Sequence, residues 1–157
     1  LFPSLEIPMN LSLLGRSHAL AWIKSHCLKI PLFSEAVSAG FPSPAQDYIE
    51  KTLDLNELCI KRPAATFFVR VEGDSMVQAG IYAGDILVVD RSVTAEHRDT
   101  VIVAIHGEMT VKELELRPKV RLVPRNPDYP VIEIPEGTAL DIFGVVTNVI
   151  RNIRHKT

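Results

Sequence analysis

Two short runs, Glu72-Gly73-Asp74-Ser75-Met76 and Val111-Lys112-Glu113-Leu114, hold the residue types for one chemistry: a serine hydroxyl as nucleophile and a lysine amine as its base. Lysine is ordinarily a poor base, because its usual pKa of about 10.4 leaves roughly one amine in 2,500 unprotonated at neutral pH. Burial disfavours the ammonium form and lowers that value, so a desolvated lysine can take a proton from a hydroxyl. Strand alternation puts Thr110, Lys112, Leu114 and Leu116 on one face and Glu113, Glu115 and Arg117 on the other. The leucine-bearing face is the one expected to be buried, and Lys112 shares it. Ser75 follows the apolar Val69 and Val71 after a break at Gly73, so its hydroxyl is expected to project from a turn. At such a turn the backbone N–H groups of Ser75 and Met76 are candidates to hold an oxyanion. Each run also has an ordinary reading. Gly-Asp-Ser triplets are common in loops, and strand lysines often lay their stems on apolar surface with the amine in water.

The elements that must position these residues are short and β-rich. Apolar runs at 67–71, 86–90, 101–105, 109–116, 120–124, 131–134 and 142–150 read as strands. Turn signals separate them at Gly80, Gly84, His106-Gly107, Pro118, Asn126-Pro127 and Glu136-Gly137. His106-Gly107 predicts a tight hairpin leading into the Lys112 strand. The expected fold is mainly β, a compact domain of mostly antiparallel strands carrying an N-terminal arm. Ahead of it, residues 46–58 read as a short helix or a strand pair. Residues 11–28 have weak helical periodicity, with Gly15 against it. The joint lies at 34–44, where Pro42 and Pro44 keep the chain extended and the small pair Ala39-Gly40 leaves room for an attacking nucleophile. Extended segments of small residues are what proteases cut, although the same composition is ordinary in linkers.

At 157 residues, with 46% hydrophobic and 23% charged, the chain can bury one real core plus an appendage. A formal charge of -2 gives no electrostatic drive toward nucleic acid, and the basic tail Arg151, Arg154, His155 and Lys156 reads as a solvated end. Cys27 and Cys59 have neither disulfide-framework nor zinc-ligand spacing, which fits a reducing cytoplasm. No metal or other cofactor is expected, since His18, His26, His97, His106 and His155 lack ligand spacing. Asp85, Asp90, Asp99 and Asp141 read as turn or surface residues rather than a third catalytic member. No basic run followed by an apolar one opens the chain, so neither export nor a membrane span is expected. The chain opens at Leu1, and Met9 stands as a candidate natural start.

Together, Pro31-Leu32-Phe33-Ser34, Ala39-Gly40-Phe41-Pro42-Ser43-Pro44, Gly73-Asp74-Ser75-Met76 and Val111-Lys112 resemble the UmuD family within the LexA-like self-cleaving serine peptidases. The likeness runs from Ile30 to Ile150. It implies Ser75 as nucleophile, Lys112 as general base and the Ala39–Gly40 bond as the one cut, within the same chain. Members of that family often have Cys before the scissile Gly; Ala39 is equally small. The resemblance further implies stimulation by the RecA filament on single-stranded DNA during the SOS response. Loss of an arm of residues 1–39 would then leave 40–157 as a homodimer serving a UmuC-type translesion polymerase subunit. Three alternatives share part of the pattern. A LexA-type repressor would need a helix-turn-helix in the arm. A signal peptidase would need a membrane anchor. A catalytically idle binding module would keep the fold alone.

Overall fold

The computed structural model describes residues 28–33 and 49–154. The weak helical pattern at 11–28, apart from Leu28, the Ala39–Gly40 bond and residues 155–157 lie outside them. The chain divides into two compact units, Leu1–Leu58 and Cys59–Thr157.

In the first unit, β1 (Lys29–Phe33) pairs antiparallel with β2 (Ile49–Asp54), from Lys29 opposite Asp54 to Phe33 opposite Ile49. Residues 46–58 therefore supply one strand and one short helix, α1 (Leu55–Cys59), and the strand's partner comes from upstream. Pro31 sits within β1, opposite Thr52. A two-stranded ribbon leaves each strand an open edge, where a residue without an N–H costs nothing. Asp54 ends β2 and caps α1, its carboxylate accepting the Asn56 N–H at 2.7 Å.

The second unit is a seven-stranded antiparallel sheet in the order β3-β4-β9-β5-β6-β7-β8. Its strands are β3 (Thr66–Arg70), β4 (Ile86–Asp90), β5 (Thr100–Ile105), β6 (Glu108–Glu115), β7 (Arg121–Val123), β8 (Ile132–Glu133) and β9 (Asp141–Ile150). Each falls within a residue or two of an apolar run in the sequence. The β5–β6 hairpin closes through His106 and Gly107, both at positive φ (50° and 80°), the conformation that matches strand twist across a two-residue loop.

Both faces of the sheet's centre are covered. On one side Val71, Met76, Ile81, Leu87, Val89 and Ile102 form a core; on the other, Val101, Val103, Leu114, Leu122 and Val145 form a second. That is why Val101-Ile102-Val103 is continuously apolar instead of alternating: successive side chains enter different cores. Strand β9 crosses between β4 and β5 with irregular register beside Val88/Val89 and Ile102/Val103. Gly144 lies in that crossing, and a Cβ there would stand 2.7 Å from Val89 Cγ1 and 3.1 Å from the Asp90 carbonyl oxygen.

Three expectations change. Glu113 is buried rather than solvent-facing, because Arg125 and Arg98 neutralise it, while Leu116, past the end of β6, is exposed. Asp85 and Asp90 are buried too. Ser92 donates from its N–H (2.8 Å) and hydroxyl (2.5 Å) to Asp90, with Arg62 at 3.5 Å, and Asp85 pairs with Arg151. Arg151 is therefore a paired residue, although exposed, and not a free tail end. Its guanidinium holds Asp85 and the Gly80 carbonyl and lies 4.4 Å from the Tyr82 ring centre.

Candidate active site

Ser75 stands on the connection that leaves β3. The strand's last inward bonds are Val71 N–H to the Asp85 carbonyl and Gly84 N–H to the Val71 carbonyl, both 2.9 Å. Gly73 then turns the chain at φ +78°, where a side chain would be strained. Met76 is buried in the core beneath, and a 3-10 turn over Val77–Ala79 closes at Gly80, also at φ +78°. With Met76 plugged into the core, its neighbour Ser75 is left half-buried at the mouth of a groove of about 250 Å3. Val69, Val71, Ile102 and Met109 make the groove's apolar wall.

Lys112 enters from β6, opposite Val101. Its side chain is buried, and its Nζ lies 3.2 Å from Ser75 Oγ, 2.8 Å from Thr110 Oγ1 and 2.9 Å from the Val111 carbonyl oxygen. Desolvation lowers the Lys112 pKa below its ordinary value, with no carboxylate opposing it. An ammonium here donates its N–H groups to these oxygens. Once it loses a proton, one partner must become the donor to the lone pair. The Val111 carbonyl cannot, whereas a hydroxyl can. Lys112 can therefore hold Ser75 in the orientation needed to receive its proton.

The geometry brings Ser75 and Lys112 together as the sequence suggested. No backbone carbonyl among the described residues accepts the N–H of Ser75 or Met76. Sequence reading placed Thr110 on the same face as Lys112 without making it the amine's partner. The i, i+2 spacing of a hydroxyl and an amine on one strand was the available signal.

A second set of contacts steadies the serine loop. Tyr129 donates its hydroxyl to Asp74 Oδ1 at 2.6 Å, and Asn126 donates Nδ2–H to the Asp74 carbonyl at 3.0 Å. The Asn126 Oδ1 accepts the Asp128 N–H at 3.0 Å. Gln78 N–H donates to the Arg125 carbonyl at 2.8 Å. The Arg125 guanidinium grips Glu113, next to the lysine, through Nε at 2.7 Å and through a second, shorter contact. The hydrogen bond to the Asp74 carboxylate raises the Tyr129 pKa above its ordinary value, favouring the phenol form that donates.

Among the described residues no group of three His, Cys, Asp or Glu side chains is placed to hold a metal ion. Nor is any helix among them long and apolar enough to cross a membrane.

The sequence profile of the Peptidase S24-like family matches residues 31–147. The chain is 54% identical over 124 residues to Protein SamA of Salmonella typhimurium, covering 79% of this chain and 86% of that one. Against Protein MucA of Escherichia coli the identity is 51% over 120 residues, 76% of this chain and 82% of the relative. LexA repressor 1 of Geobacter sulfurreducens is 36% identical over 139 residues, 87% and 68% of the two chains. With a serine and a lysine in hydrogen-bond contact on this β scaffold, and with likeness of this extent, the chain belongs to the Peptidase S24-like family of serine peptidases as a UmuD-like protein.

Proposed function

We propose that this chain is a self-processing serine peptidase of SOS mutagenesis, in which Ser75 and Lys112 cut the Ala39–Gly40 bond. The observation that carries the reading is the buried Lys112 amine 3.2 Å from the Ser75 hydroxyl, its pKa lowered by desolvation. Ser75 Oγ attacks the Ala39 carbonyl carbon as Lys112 Nζ takes the hydroxyl proton. The N–H groups of Ser75 and Met76 receive the negative charge that develops on the carbonyl oxygen. As the C–N bond breaks, Lys112 returns the proton to the Gly40 amine. Water, deprotonated by Lys112 Nζ, then attacks the Ala39 carbonyl carbon of the ester, and Lys112 returns that proton to Ser75 Oγ as residues 1–39 leave. The apolar groove suits a small side chain such as that of Ala39.

An arm on the same chain meets its site at high effective concentration, so slow chemistry suffices without tight binding. The rate is then governed by how often the arm is aligned, and the RecA filament on single-stranded DNA would raise that population. The processed form, residues 40–157, would act in the cytoplasm as a homodimer with a UmuC-type polymerase subunit.

Intact-mass analysis of the purified chain, with and without RecA, nucleotide and single-stranded DNA, tests the reading. A fragment beginning at Gly40, faster at alkaline pH and absent in Ser75→Ala and Lys112→Ala, is expected. A folded wild-type chain that never yields it would refute self-processing and leave a binding module.

A further inference from the structure

The serine loop has a mechanical weakness. It is bounded by two glycines at positive φ, Gly73 and Gly80, and no regular strand runs between them. Yet catalysis requires Ser75 Oγ to stay within hydrogen-bond reach of Lys112 Nζ, because misplacement by about 1 Å can cost about a hundredfold. The Met76 side chain fixes the floor of the loop. What fixes its position along β6 is the 125–129 segment.

We propose that Asn126 and Tyr129 are positioning residues of the dyad, tying Asp74 to the strand that carries Lys112 and so setting the Ser75–Lys112 separation. The inference rests on the Ser75/Lys112 reading given above. Asn126 is buried with both ends of its amide bonded, Nδ2 donating to the Asp74 carbonyl and Oδ1 accepting from Asp128 N–H. Tyr129 reaches the same residue through its carboxylate. Both contacts fall on the residue directly before the nucleophile. The 125–129 segment is in turn fastened to β6 by the Arg125 guanidinium on the Glu113 carboxylate, just past the point where Val123 of β7 pairs with Glu113. Serine loop, brace and lysine strand therefore close a ring of contacts. Opening it at Asp74 leaves the sheet and both cores in place but lets Ser75 drift.

The test uses the full-length chain, a fluorophosphonate probe that labels the active serine, and first-order self-cleavage at alkaline pH. Tyr129→Phe and Asn126→Ala are expected to lower both the cleavage rate and the maximal labelling rate by about tenfold or more. The probe's half-saturation concentration should not change, and labelling should still reach completion. Asp74→Asn keeps an acceptor for the Tyr129 hydroxyl and should retain more activity than Asp74→Ala. In the Asp74→Ala background, Tyr129→Phe should add little. Arg121→Leu is the matched control. It removes a different ion pair between β7 and β6, with Glu115, and should lower the melting temperature without slowing labelling. Folded Tyr129→Phe and Asn126→Ala proteins that cleave and label at wild-type rates would overturn the brace. So would a loss confined to the labelling end point, which signals unfolding alone. A wild-type chain that neither cleaves nor labels would overturn the dyad itself, and the brace with it.

Discussion

Removing the Arg125 guanidinium is the sharpest probe of how this domain handles a carboxylate next to the buried Lys112. The Glu113 side chain is 11% exposed and Arg125 32% exposed, with Arg98 a further 3.7 Å away at 71% exposure. Breaking a fully buried pair by deleting one partner costs about 3–5 kcal/mol, whereas exposed pairs contribute about 0.2–1 kcal/mol. Here the carboxylate is nearly dry, the cation is one-third wet, and Arg98 can move in. Arg125→Leu should therefore cost about 2 kcal/mol, most of it from stranding Glu113. For a unit of this size that is a fall of roughly 10 °C in melting temperature.

The assay is urea unfolding followed by circular dichroism at neutral pH, in a Ser75→Ala background so that processing does not intervene. Three proteins are compared with that parent: Arg125→Leu, Glu113→Leu, and both together. The double variant should recover most of the loss, since two apolar side chains on a covered sheet face leave no charge unpaired. A single variant costing under about 0.5 kcal/mol, or a double variant as unstable as the sum of the singles, would refute the reasoning.

Lys112→Met should abolish cleavage and stabilise the domain at neutral pH. The folded-state pKa of Lys112 is depressed by burial, so the folded state is penalised wherever the lysine is charged. The penalty is complete below the folded pKa and disappears as pH rises toward the unfolded value of about 10.4. The stability gap between Lys112→Met and wild type, measured by urea melts, should thus narrow with rising pH; a gap of the opposite sign would contradict the assignment. Asp85 behaves in the reverse sense. The Arg151 guanidinium, against the opposing effect of burial, holds its carboxyl below the usual value, so its stabilisation exists above the unfolded pKa of about 3.9 and is lost as pH falls through the folded one. Asp85→Asn should be less stable than wild type at pH 7 and converge with it in acid melts; parallel curves would exclude the pair as the cause. Gly144→Ala should cost about 1–3 kcal/mol, because the new methyl meets the β4 backbone as well as the Val89 side chain. A neutral result in thermal melts would mean that the irregular β9 register relaxes without strain.

Most of the sheet was legible because its strands are local patterns: apolar runs of strand length, punctuated by glycine and proline. His106-Gly107 announced its hairpin because both residues tolerate the positive φ that a two-residue loop needs. Ser75 and Lys112 were legible as a candidate pair, and Leu114 on the lysine's face pointed to its burial. What escaped was pairing across distance. The β1–β2 ribbon was hidden because Pro31 argues against a strand until the ribbon's open edges are known. Glu113 looked like a solvent-facing residue because its partner, Arg125, sits beyond the next strand. Asp85 and Arg151 meet only because β9 returns beside β4. The contacts of Asn126 and Tyr129 with Asp74 were invisible for the same reason, since Asn126-Pro127 signals a turn and says nothing of what the turn touches.

The adjacency of Lys112 and Glu113 carries a final point of design. A carboxylate close to the amine would favour the ammonium and raise its pKa, opposing the burial that lowers it. Strand alternation sends the two side chains to opposite faces of β6, placing the sheet between them. Glu113 then pairs with Arg125, so its charge is satisfied by a guanidinium that remains protonated throughout. No carboxylate contributes to the Lys112 shift, which burial alone produces. The same alternation gives one strand two sets of contacts: one side chain brings an amine to Ser75, and the next pairs with Arg125. Register is what keeps them apart. A slip of one residue in the β5–β6 pairing would exchange the faces, turning the amine toward Arg125 and the carboxylate toward Ser75. The two-residue turn at His106-Gly107 helps fix that register, and so bears on the chemistry from the far end of the hairpin.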